Sequence, residues 1–109
     1  MPCRTGYAMN EMWRDLKSRW EAYRESRGLF SAGNRAFKRG EFEAAAALYA
    51  QTLEKDEDHN LARFNLGLAL YKSGSRREAR AQWKIVLERV EGKNEYLAEQ
   101  TRIMLRQFG

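Results

Sequence analysis

Shifting the sequence by 34 residues lays Gly33-Asn-Arg-Ala-Phe-Lys-Arg-Gly40 over Gly67-Leu-Ala-Leu-Tyr-Lys-Ser-Gly74. In that register Phe30 meets Phe64, Phe37 meets Tyr71 and Lys38 meets Lys72. Further along, Ala45 meets Ala79, Tyr49 meets Trp83, and Leu53-Glu54 meets Leu87-Glu88. A repeat of this length is one supersecondary unit that cannot bury its apolar face alone, so neighbouring units must stack. Gly40 and Gly74 sit where a helix ends and the chain turns back, a place suited to the left-handed backbone of glycine. Gly33 and Gly67 fall inside helices, where glycine costs about 1 kcal/mol relative to alanine. That cost is offset if a neighbouring helix packs against the bare backbone. Ala45 and Ala79 then supply small contacts, and Tyr49, Trp83, Leu53 and Leu87 supply bulk between hairpins.

The spacing and residue classes of Gly33 to Leu53, with its copy one register on, resemble the tetratricopeptide repeat family. Its unit is a 34-residue helix–turn–helix. The resemblance covers about Arg27 to Lys93 and implies an all-α, right-handed superhelical stack of antiparallel helix hairpins. Two places depart from the family pattern. Arg76 stands where the first unit has the aromatic Phe42, and Glu57 and Glu91 replace the usual prolines between repeats.

Two hairpins bury little surface by themselves, and the flanks supply more. Leu97, Thr101, Met104, Leu105 and Phe108 share one face of a C-terminal capping helix, residues 94–109. Met9, Trp13, Leu16, Trp20 and Tyr23 step by four, three, four and three, which is an amphipathic helical stripe. The expected order is a flexible N-terminus (1–8), an amphipathic helix (9–26), one repeat (27–59), a second (60–93) and the cap (94–109). Six helices are predicted near 10–25, 27–39, 42–55, 59–73, 76–91 and 94–108. Asn10 is a candidate N-cap for the first, and Ser75 with Glu78 form a candidate capping box for the fifth. The short connection through Ser26 and Gly28 predicts that the first helix folds back onto the neighbouring hairpin.

The residue inventory bounds the chemistry. His59 is the only histidine and Cys3 the only cysteine, which excludes histidine triads, an internal disulfide and a cysteine-based zinc site. Phosphate-binding glycine loops are absent. No catalytic site, cofactor or metal is expected, and the chain reads as a non-enzyme. Asp56, Asp58 and Asn60 match the first, third and fifth ligand places of a calcium loop. However, Leu61 replaces its glycine and Gly67 its closing glutamate, so the segment reads as an inter-repeat turn. With mean hydropathy −0.78 and no long apolar run, no membrane span is predicted. The N-terminus lacks an apolar signal region, and a lone thiol suits a reducing compartment, so the cytoplasm is the expected location.

The net charge of +5 is unevenly spread. Residues 1–40 carry +5, residues 41–59 carry −5, residues 60–93 carry +5 and the rest balance. Arg76, Arg77, Arg80 and Lys84 gather at a helix start, where cations oppose the macrodipole and hint at a bound anion. No aromatics are interleaved with them, so nucleic acid is a minor alternative.

The helix near 59–73 is apolar around most of its circumference. Ala62, Leu66, Ala69 and Leu70 suffice to pack on a hairpin, leaving Leu61, Phe64, Leu68 and Tyr71 as a second stripe. Phe30 and Phe37 continue it on the first hairpin, with Asn34 between them. The family resemblance implies that this face, together with Asn65, lines a concave groove for a partner helix or extended apolar peptide. Two readings stand: the groove is open to a partner, or the protein's own flanking helices fill it. Self-association through the N-terminal helix is the alternative function. The resemblance also argues against one partner class. Family members that clamp heat-shock-protein C-termini use basic residues where this chain has Phe30, Glu95 and Glu99, although Asn34 and Asn65 match.

Overall fold

In the computed structural model the backbone is described for residues 2–108 and side chains for residues 9–108. Five helices follow in order: α1 (Pro2–Lys38), α2 (Phe42–Lys55), α3 (Asn60–Lys72), α4 (Arg76–Val90) and α5 (Glu95–Phe108). No strand occurs among the described residues. The protein is an all-α stack of helix hairpins, α1 with α2 and α3 with α4, closed by α5.

The turns follow from their glycines. Gly40 has φ +79° and Gly74 has φ +98°. At each, the glycine N–H reaches back three residues, to the Phe37 and Tyr71 carbonyls. The next N–H reaches back five, to Ala36 and Leu70. This is the paired closure expected when glycine follows a helix in the left-handed conformation. Asn94 opens α5 by accepting from the Leu97 N–H at 3.1 Å. His59 opens α3 in the same manner, its Nδ1 accepting from the Ala62 N–H at 3.1 Å. Ser75 stands at the N-cap of α4, but its side chain makes no capping bond, so the expected capping box is not formed.

The close approaches inferred from the helical glycines are present. A Cβ on Gly33 would lie 2.7 Å from the Tyr49 ring, and one on Gly67 would lie 2.7 Å from Trp83 Cδ1. Both aromatic residues are buried, as are Ala45 and Ala79 beside them. The core comprises two contiguous clusters. Ala36, Ala45, Tyr49, Leu66 and Ala69 join the first hairpin to α3. Phe64, Ala79, Trp83, Val86, Val90, Leu97 and Ala98 join the second hairpin to α5. Leu70 packs against both. α3 is thus apolar all round because it is packed on two sides.

One expected boundary is absent. The helices predicted near 10–25 and 27–39 are a single helix, so five helices stand where about six were expected. Ser26 is buried and donates its hydroxyl to the Tyr23 carbonyl at 2.7 Å, which satisfies the side chain without ending the helix. Gly28 carries no positive φ. Neither residue breaks a helix by itself; each only weakens one slightly. The consequence is large. α2 ends alongside Glu25, which pairs with Lys55 at 3.0 Å, so the part of α1 before Glu25 runs beyond its partner helix. Trp13 and Trp20 are 63% and 57% exposed, and Met9, Met12, Leu16 and Tyr23 are exposed too. The amphipathic helix does not fold back on the first hairpin, because no turn exists to return it. The flexible segment expected over residues 1–8 lies outside the described side chains.

Candidate functional site: the cleft between α1 and α3

Four of the eight residues expected to line a groove come together in one open cleft. Asn34, Phe37 and Lys38 of α1, Tyr49 of α2, and Asn65 and Leu68 of α3 surround about 180 Å³. Helical periodicity explains the arrangement. Asn34 and Lys38 lie one turn apart on α1, with Phe37 beside them, and Asn65 and Leu68 are similarly placed on α3. The floor is polar. The Tyr49 hydroxyl donates to Asn34 Oδ1 at 2.6 Å, and Asn65 Nδ2 donates to the same oxygen at 3.3 Å. Burial pushes the Tyr49 phenol above its usual value, and its contact with Asn65 partly offsets the rise. The hydroxyl therefore remains a donor at neutral pH. One asparagine oxygen takes both bonds. Phe37 and Leu68 supply apolar walls, and Lys38 an exposed cation at the rim.

The other four expected residues do other work. Phe64 is only 8% exposed and belongs to the core with Trp83 and Leu97. Its carbonyl also accepts from Trp83 Nε1 at 3.2 Å. Tyr71 is half-buried under Phe108, with ring centroids 4.5 Å apart. The C-terminal helix thus fills the far end of the stripe. Phe30 is half-buried against His59 at 4.5 Å and Tyr49 at 5.9 Å. Leu61 is exposed near the start of α3, away from the cleft lining. The stripe read from periodicity is therefore filled by the protein at Phe64 and Tyr71 and open at Leu68. Lys38 and Tyr49 are the lining residues that the sequence reading missed. For Tyr49 a signal existed: a buried phenol needs a hydrogen-bond partner, and Asn34 lies fifteen residues earlier on the facing helix.

Several of the charged residues singled out in the sequence are tied to the scaffold. Arg89 holds the α2–α3 turn, reaching Asp58 at 3.0 Å and Glu57 at 3.3 Å. Asp56 accepts from the Asp58 N–H at 3.2 Å. Arg76 places its guanidinium 5.3 Å from the Tyr71 ring centre. One register earlier, Phe42 meets Phe37 edge-on at 5.1 Å. A cation–π contact thus stands in for an aromatic pair at the same repeat position. This gives Arg76 a role at the helix start without a bound anion. On α5, Arg102 gathers Glu91, Glu95 and Glu99 within 3.6 Å. Its guanidinium is held more firmly protonated by Glu99 first, then Glu91.

A tetratricopeptide repeat profile matches residues 30–83, from Phe30 on α1 to Trp83 on α4. The chain belongs to the tetratricopeptide repeat family. The matched span contains Gly33, Gly67, Gly40, Gly74 and every residue of the cleft. Repeats of this family serve in general as protein–protein interaction modules. No curated protein matches the chain. Among the described residues, no helix is long and apolar enough to cross a membrane.

Proposed function

We propose that this tetratricopeptide repeat protein is a non-catalytic adaptor that holds an extended apolar segment of a partner in the α1–α3 cleft. The observation that carries the reading is the lining itself. Phe37 and Leu68 line a cleft whose amides, Asn34 and Asn65, are joined through Asn34 Oδ1, which also accepts from the Tyr49 hydroxyl. Such a floor can hydrogen-bond the main chain of a peptide while one apolar side chain enters between the walls. Fixed amides cost little ordering on binding, because Tyr49 and the Asn34–Asn65 bond already hold them.

The partner is an extended peptide more than a helix. A volume of about 180 Å³ admits one side chain, not the several anchors of a helix face. A heat-shock-protein tail is not the partner proposed, since Glu95 and Glu99 surround Arg102 where basic clamp residues would be needed. A reducing, cytoplasmic setting belongs to the same proposal and rests on the lone thiol of Cys3.

Selection of peptides from a displayed random library, with counter-selection on Leu68→Glu, tests the reading. Peptides sharing one apolar anchor and losing affinity on both Leu68→Glu and Asn65→Ala are expected. Enriched peptides that bind both variants as well as the wild type would refute it.

A further inference from the structure

The exposed stripe on α1 lies outside the cleft and is its own problem. Met9, Met12, Trp13, Leu16, Trp20 and Tyr23 are each about half exposed or more. At on the order of 100 Å² apiece they present roughly 600 Å², the upper end for the largest patch on a monomer. That is close to the ~800 Å² per partner of an ordinary specific interface.

The geometry of the stripe narrows what can cover it. The four–three steps from Met9 to Tyr23 continue through Arg27, Phe30, Asn34 and Phe37, so α1 carries one heptad-like seam along its length. In the lower half, residues of α3 and its cap already sit on that seam. The His59 ring packs at a tilt against Phe30, and Asn65 bonds to Asn34. A four–three seam of this kind is the surface on which another helix packs.

The flanks of the seam select the partner's charge. Lys17 and Arg24 border the stripe on one side and Arg19 on the other, while Glu11, Asp15, Glu21 and Glu25 lie away from it. Arg19 forms an exposed pair with Asp15 at 3.7 Å. In a symmetric pairing of two α1 helices the basic flanks would face one another, which disfavours a second copy.

We propose that the projecting half of α1 is a docking surface for an amphipathic helix of another protein, one whose apolar seam is bordered by Asp and Glu. Trp13 and Trp20 are its anchors, and Lys17 and Arg24 choose the partner.

The test uses two synthetic helical peptides with the same leucine seam, one flanked by glutamates and the other by lysines. Trp13 and Trp20 report binding by a blue shift of emission, against the constant signal of buried Trp83. The glutamate-flanked peptide is expected to bind at least about ten-fold more tightly at low salt, and the gap should narrow as salt rises. In Lys17→Glu/Arg24→Glu the preference is expected to reverse, with an unchanged melting temperature. Leu68→Glu is expected to leave both results intact, which separates this surface from the cleft. Equal binding of the two peptides, or a folded charge-reversed variant that keeps the original preference, would overturn the proposal. So would an emission shift obtained with anionic phosphatidylglycerol vesicles but with neither peptide. Sedimentation showing a stable dimer that Trp13→Ala dissolves would overturn it in favour of a second copy.

Discussion

Gly67 and Gly28 are both helical glycines, and replacing each with alanine should move stability in opposite directions. At Gly67 the new Cβ would lie 2.7 Å from Cδ1 and Cε2 of Trp83, against 3.4–4 Å for an ordinary contact. Nε1 would lie closer still, so the ring must retreat by more than about 0.7 Å or the helices must part. Trp83 has no exposed surface, and neither have Ala79 and Val86 beside it, so there is no slack to absorb the shift. Moving the indole also strains its bond to the Phe64 carbonyl. Overpacking costs about 1–3 kcal/mol, and a weakened buried hydrogen bond adds about 1 kcal/mol. The better helix propensity of alanine returns about 1 kcal/mol. The net loss is about 1–3 kcal/mol, or about 4–8 °C in melting temperature for each kcal/mol. Nothing lies within 4 Å of a Cβ on Gly28. There, alanine should gain about 0.5–1 kcal/mol. Thermal and urea unfolding followed by circular dichroism would measure both variants. Gly67→Ala at or above wild-type stability would refute the packing argument for the repeat.

Further outcomes follow from other parts of the molecule. Phe64→Glu places a charge in the core beside Trp83 and should unfold the second hairpin or cost upwards of about 3 kcal/mol, whereas Trp20→Ala should leave the melting temperature within about 1 °C, its lost contacts being mainly with Tyr23. Chemical unfolding across alkaline pH should show stability falling as pH rises past about 10, because Tyr49 is held neutral by burial and its folded value lies above the unfolded one. Below that range this contribution is constant, and Tyr49→Phe should flatten the slope. Arg89→Ala should cost no more than about 1 kcal/mol, since its partners Glu57 and Asp58 are largely exposed.

Local chemistry made much of the fold readable. α2 spans Phe42–Lys55, as the turn at Gly40 and the acidic run after Lys55 require. The glycine–aromatic contacts followed from the cost of glycine inside a helix. The continuity of α1 did not follow, because Ser26 and Gly28 are weak breakers whose effect depends on what packs on them. Ser26 is buried with its hydroxyl satisfied on its own helix, and the helix continues through it. The cleft was half readable for a related reason. Periodicity says which side chains share a face, as Phe64, Leu68 and Tyr71 do, but not what lies opposite. Phe108 covers Tyr71, and α4 and α5 enclose Phe64. Leu68 stays accessible because the space opposite it is bounded by Asn34, Phe37 and Lys38 of the first hairpin.

The most direct test of the cleft as the binding site is a nitrogen–proton correlation spectrum of labelled protein titrated with the selected apolar peptide. The side-chain amide signals of Asn34 and Asn65 should move together and saturate with the same dissociation constant as the backbone signals of Lys38 and Leu68. In Tyr49→Phe the amides lose the hydroxyl that positions them, and the affinity should fall by about ten-fold, as expected for about 1.4 kcal/mol. Saturating shifts confined to α4 and α5, with Asn34 and Asn65 unmoved, would contradict the account.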